Sequence, residues 1–198
     1  MIVTKISGSA SEPNQIEHQN WVPADHVAAS FEIQHDGSTI FLRYNVMEEQ
    51  VRAVNTAFNS PVWEDSCVEF FLSPEGDSNY YNFEFNAIGT VLGAYGRDRN
   101  NRRWLPVDVL EKIVTKPSLG KNVIKNLEEE TSWTLEVRIP VSVLCHSNIS
   151  DLSGLKANGN FYKCGDGLKR PHFLSWQPVL TEKPDFHTPR FFGDLVFE

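Results

Sequence analysis

Apolar and polar residues alternate with a period of two along most of the chain. Ala29, Phe31 and Ile33 alternate with Ser30, Glu32 and Gln34; Ile40, Leu42, Tyr44 and Val46 then alternate with Phe41, Arg43, Asn45 and Met47. Between them lies His35-Asp36-Gly37-Ser38, whose Asp-Gly pair suits a tight hairpin turn. A second hairpin is predicted at 67–87, turning at Pro74-Glu75-Gly76-Asp77-Ser78-Asn79. Val68, Phe70 and Leu72 share one face there with Tyr81, Phe83, Phe85 and Ala87. The opposite face carries Cys67, Glu69 and Phe71 beside Tyr80, Asn82, Glu84 and Asn86. This sheet has an apolar back and a front able to hold something polar. Trp133, Leu135, Val137 and Ile139 alternate with Thr134, Glu136 and Arg138 until Pro140 stops the strand, and Val141 to Cys145 reads as one helical turn.

Shorter strands are expected at Ile2 to Ile6, Val91 to Tyr95, Ile113 to Thr115, Ala157 to Lys163, His172 to Trp176 and Asp194 to Phe197. Residues 49–62 read as a polar connection, 97–104 as an arginine-rich loop, and Pro178 to Pro189 as a Pro-rich loop. About nine or ten short strands with no long helix define an all-β protein. The expected architecture is a single-domain antiparallel β-sandwich, immunoglobulin-like or jelly-roll-like, with at most short helical turns. Residues 1–20 are expected to form an N-terminal arm packed on the body through Trp21, and residues 21–198 the sandwich.

A chain of 198 residues buries enough surface to fold without metal or disulfide. Its net charge of −8 argues against a nucleic-acid backbone or an anionic membrane as the main partner. No window approaches the uninterrupted apolar length of a membrane-spanning helix. Cys67, Cys145 and Cys164 form an odd set without a C-x-x-C pair, which argues against a disulfide framework or a zinc site and leans towards a reducing compartment. Met1 to Ala10 lacks the apolar core of a signal peptide, and the compartment stays open.

Nucleophile-elbow, zincin, P-loop and dinucleotide motifs are absent, and the six histidines show no ligand spacing. Cys145 and His146 are sequence neighbours, which by itself does not orient a nucleophile and a base. Glu64, Asp65 and Glu69 are the carboxylates available for glycoside cleavage. Met47 is the internal methionine that a haem-holding or electron-transfer sandwich would need as an axial ligand. Binding of a sugar fits the residue types better, because sugars combine apolar faces with a rim of hydroxyls. Trp63, Trp104 and Trp176 offer planes, and Glu69, Asn82, Glu84, Asn86 and the 97–103 arginines offer rim partners. A structural sandwich without a ligand is the remaining alternative.

These residues carry a resemblance. Trp63-Glu64-Asp65-Ser66-Cys67-Val68-Glu69-Phe70-Phe71, Asn82-Phe83-Glu84-Phe85-Asn86, Trp133 to Pro140, Asn160 to Asp166, Phe173 to Trp176 and Phe192 to Phe197 follow the order and spacing of the family 9 carbohydrate-binding modules. The chain is similar above all to the stand-alone family 9-like proteins of bacteria, over roughly residues 20–198. The resemblance implies a β-sandwich that binds a sugar or oligosaccharide end without cleaving it, in association with polysaccharide catabolism and glycoside hydrolases. It implies a pair of tryptophans, Trp63 and Trp176, sandwiching the sugar, with Glu69 on its hydroxyls. Arg97 or Arg99 is the counterpart of a family arginine, and Asn160 of a family amide. Structural calcium is a property of family members with defined ligands; no oxygen-rich loop with calcium spacing is recognisable in this sequence.

Overall fold

The computed structural model describes residues 1–6 and 12–198. In chain order the strands are β1 (Ile2–Lys5), β2 (Asn14–Gln15), β3 (His18–Gln19), β4 (Val27–His35), β5 (Thr39–Glu48), β6 (Val51–Ala53), β7 (Cys67–Pro74) and β8 (Tyr80–Asn86). There follow β9 (Val91–Gly96), β10 (Arg102–Trp104), β11 (Val114–Pro117), β12 (Ile124–Leu127), β13 (Thr131–Pro140), β14 (Lys156–Cys164), β15 (Phe173–Ser175) and β16 (Gly193–Phe197). A four-residue helix, α1 (Val107–Leu110), and 3₁₀ turns at Val62–Glu64, Val141–Val143 and Pro189–Phe191 are the helical parts among the described residues.

One layer runs β10-β9-β8-β7-β14-β16-β1 and the other β1-β4-β5-β13-β11, so that β1 belongs to both. It lies parallel to β16 through Ile2 and Val3 and parallel to β4 through Thr4 and Lys5. The layers face each other across the main core. Phe31 of β4 stacks on Phe161 of β14 with centroids 3.5 Å apart, and Phe161 stacks on Phe70 of β7 at 4.8 Å. The alternation seen in the sequence explains this core: Phe31, Ile33, Leu42, Tyr44, Val68, Phe70, Phe83, Phe85, Leu135 and Val137 all point into it. Trp133 is buried as well, and its indole N–H donates to Glu48 Oε1 at 2.7 Å.

Three features differ from the sequence reading. The described part of residues 1–20, expected as a packed arm with one strand at Ile2 to Ile6, is woven further into the body: β1 bridges the two layers, β2 pairs with β4, and β3 pairs with β15. The 49–62 connection contains β6, which pairs with β12. The last residues of the arginine loop form β10 against β9 and turn Arg102 inward. Strands of two to four residues carry too few alternations to stand out from loop sequence.

Candidate functional site

The central strands β7, β8 and β14 are covered on both faces. On the face away from the main core, Cys67, Phe71, Tyr80, Tyr162 and Cys164 form a second cluster beneath the chain of residues 179–192, joined at its edge by Trp21 and Trp63. Strand register fixes the polar residues of this face. Glu69 lies opposite Glu84 on one side and Tyr162 on the other, while Cys67 lies opposite Asn86 and Cys164. Where the covering segments stop, a cavity of about 340 Å³ opens over these residues. Trp21 and Trp63 contribute to its walls, as do Phe173, Phe186 and His187; Glu69, Glu84, Arg102 and Cys164 lie at its base; Arg99, Asp166 and Asp185 also line it.

Each wall residue is held from behind. Trp63 sits in the 3₁₀ turn that follows Pro61. The next residue but one, Asp65, is buried and accepts hydrogen bonds from the Arg52 guanidinium at 2.8 Å, the backbone N–H groups of Val54 and Asn55, and the Asn55 and Asn86 side-chain amides. Asp65, weighed above for glycoside cleavage, is thus consumed in positioning the Trp63 turn. The 165–167 bend docks on the same turn, with the N–H groups of Asp166 and Gly167 donating to Trp63 O and Glu64 O, both at 3.0 Å. A Cβ at position 167 would come within 2.6 Å of Glu64 O, so only glycine permits this approach.

Trp21, also in the cavity wall, has a left-handed backbone, φ 64°, uncommon for an aromatic residue. The surrounding contacts hold it there: its indole N–H donates to Thr181 O at 2.7 Å, and its ring packs on Phe173 and Phe186 with centroids 5.7 and 5.5 Å away. Neighbouring Asn20 ties down the same region, donating to Ser175 Oγ and accepting from Val179 N–H.

The base of the cavity is electrostatically tense. Burial, reinforced by the Glu84 carboxylate, holds the Glu69 carboxyl well above the usual carboxylate range. Burial pushes Glu84 up to about 7, although the Arg102 guanidinium 3.4 Å away opposes the shift. Asn82 Nδ2 donates to Glu84 Oε1 at 3.0 Å, whereas Glu84 Oε2 and Asn82 Oδ1 are buried without a hydrogen-bond partner. Glu84 lines the cavity, and its orphaned acceptor is costly unless something that enters donates to it. Asp166 stands at the exposed rim, where crowding by the cavity wall raises its carboxyl to about 6. His187 shares a 2.8 Å hydrogen bond with Tyr80 Oη and is held neutral, chiefly by burial and then by Arg102. Arg102 also lies over the exposed Trp104 ring, 4.9 Å from its centroid.

Of the residues expected at a site, Trp63, Glu69 and Arg99 line the cavity together. Trp176, Arg97 and Asn160 do not. Trp176 turns towards the main core, edge-on to Phe31 and Phe161 at 6.1 and 5.9 Å. Arg97 is exposed and pairs with its neighbour Asp98 at 3.6 Å. Asn160 is fully buried and braces the 176–192 loop, accepting from Gln177 N–H and donating to Gln177 O. The second indole of the cavity is therefore Trp21, expected from the sequence to serve in packing. Its neighbours, Pro23 and Asn20, gave no sign of function. The signal was its isolation in a polar stretch without strand alternation. Met47 lines a groove on the outer face of the other layer, apart from the cavity.

Among the described residues one group of three His, Cys, Asp or Glu side chains is close enough to hold an ion, Cys67, Glu69 and Cys164. Two sulfurs and a carboxylate are not the six to eight oxygens that calcium takes.

The cavity thus sets aromatic walls over a floor of carboxylates and arginine on a β-sandwich. The model of carbohydrate-binding family 9 matches residues 5–197, and the chain belongs to that family, whose members are non-catalytic binding modules. A protein of Bacteroides uniformis ATCC 8492, provisionally described as carbohydrate-binding, is 40% identical over 100% of this chain and 98% of its own, with a TM-score of 0.93. A family 9 module of Caldicellulosiruptor kristjanssonii in complex with cellotriose shares the fold at 14% identity and a TM-score of 0.64, covering 100% of this chain and 93% of its own. A Caldicellulosiruptor kristjanssonii family 9 module in complex with glucose gives 17% identity and a TM-score of 0.59, covering 100% and 95%. A comparison with curated proteins finds none that matches.

Proposed function

We propose that this protein binds a carbohydrate, as one sugar unit or the end of a short chain, in the cavity between Trp21 and Trp63, and does not cleave it. The observation that carries this reading is the cavity itself. Two indoles from distant parts of the chain wall a space of about 340 Å³, at the small end of ligand pockets. The buried acceptor without a partner at Glu84 suits a hydroxyl donor of a sugar. Arg99 and Arg102 supply the complementary donors. Family membership supports the same substrate class, and the sugars named for the Caldicellulosiruptor modules, glucose and cellotriose, are the first to try.

Glu69 and Glu84 face the same cavity from directly opposed positions on adjacent strands. Two carboxyls side by side on one floor suit hydroxyl recognition; cleavage would need one on either side of the scissile bond. A role beside glycoside hydrolases in polysaccharide breakdown follows from the family likeness. Titration calorimetry with glucose, cello-oligosaccharides and a wider glycan panel tests the proposal. Trp21→Ala and Trp63→Ala should each weaken binding by about 2 kcal/mol, roughly thirtyfold, as for aromatic anchors generally. Unaltered affinity in both variants, or turnover of chromogenic glycosides by the wild type, would refute it.

A further inference from the structure

Two cysteines that sugar recognition does not require lie beside Glu69 at the cavity floor. Cys67 and Cys164 lie far apart in sequence but directly opposite each other on the paired strands β7 and β14. With Glu69 they place one carboxylate oxygen and two sulfurs within 4.8 Å of one another. Cys164 Sγ donates to Glu69 Oε1 at 3.1 Å, and all three side chains are almost wholly buried. Yet Cys164 and Glu69 reach the cavity, so an ion could enter from solvent.

We propose that Cys67, Glu69 and Cys164 form a binding site for a thiophilic divalent cation, zinc foremost. A tetrahedral zinc with bonds of about 2.3 Å to sulfur and about 2.0–2.2 Å to oxygen holds its ligand atoms roughly 3.5–3.8 Å apart, so the three side chains need to draw together by at most about 1 Å. Two sulfurs select zinc over calcium or magnesium. Binding exchanges the two thiol protons, and any proton on Glu69, for the ion without change of oxidation state. Three protein ligands leave a fourth position, which faces the cavity and would take a water or an oxygen of the occupant. The absence of a C-x-x-C pair is no obstacle, because strand pairing does what close spacing does in a zinc ribbon.

The test uses the reduced full chain with the exposed Cys145 replaced, C145S, to remove a competing thiol. Titration with cobalt alone, without sugar, should give thiolate-to-cobalt charge-transfer absorption that saturates at one equivalent and is displaced by zinc. Cys67→Ser and Cys164→Ser should each abolish it, with near-ultraviolet circular dichroism reporting that the fold survives. Should those variants unfold, the C145S parent still decides: no charge-transfer absorption at saturating cobalt overturns the site. Persistence of the band in a folded Cys67→Ser or Cys164→Ser protein also overturns it. Sugar binding by the metal-free protein leaves the carbohydrate reading standing on its own, so the two readings fail separately.

Discussion

Lys163 is fully buried, and its ammonium is shared among Glu48 Oε2 at 2.9 Å, Cys164 O at 2.9 Å and His172 Nε2 at 2.7 Å. The other Glu48 oxygen accepts from Trp133. Replacing Lys163 by methionine keeps the apolar stem and removes the charge. Glu48, 1% exposed, then faces a buried environment with one indole as its donor. Breaking a buried pair from one side costs about 3–5 kcal/mol, which for a chain of this size lowers the midpoint of thermal unfolding by roughly 6–20 °C. His172 gives the prediction a second edge. Its pKa is lowered to about 2 by burial and then by Lys163, and its Nε2 lies 3.8 Å from Glu48. Without the lysine the imidazole should protonate more readily and take over part of the pairing. A group whose folded pKa rises stabilises the protein at low pH and loses that effect as pH increases, so the K163M deficit should be smaller at pH 5 than at pH 8. Urea unfolding at both pH values measures this, alongside Glu48→Leu and the double variant, which should lose much less than the sum of the two. A loss under about 1 kcal/mol, or additive losses, would refute the account.

Trp176→Ala should cost about 2–4 kcal/mol in urea unfolding, since the indole packs on Phe31 and Phe161, while leaving sugar affinity nearly unchanged. Asp65→Ala strands several donors behind Trp63 and should lower both stability and affinity, read by unfolding and calorimetry. Stability should be lost steeply in acid, because His172 and His187 are held neutral and unfolding lets them take up protons below pH 6.5 at up to about 1.4 kcal/mol per pH unit each. The raised carboxyls, Glu84 at about 7, Asp166 at about 6 and Glu69 well above the usual range, act in the opposite sense and destabilise the fold as pH rises towards neutrality, so they largely offset the histidines there, and a flat profile followed by a collapse below about pH 4 is expected from pH-dependent denaturation.

The long strands were legible because a strict period of two, sustained over seven to ten residues, matches a strand with two unlike faces and no helix, and both faces of β7 and β8 appear as the pattern dictates. The site was legible where one element carried it: Trp63 and Glu69 sit on β7 and its leading turn, and both line the cavity. It was not legible where long-range packing chose the residue. Trp176 and Trp21 are both indoles beside prolines or polar residues, and nothing local says that one turns inward to Phe161 while the other is left on a cavity wall. Arg102 was one of four arginines in its segment, and only the pairing of β10 with β9 aims it at Glu84. Likewise, the meeting of Cys67 with Cys164 depends on register between strands separated by about half of the chain.

The parallel strand β1 has a consequence for how the molecule comes into being. Because residues 2–5 are clasped on one flank by β16, the seam that joins the two layers stays open until residue 197 has left the ribosome. Earlier hairpins can form and even stack, but the last stitch belongs to the most distant contact, the slowest kind to find. A nascent protein halted before that point would hold its aromatic interior ajar, exposed to chaperones and to other unfinished copies.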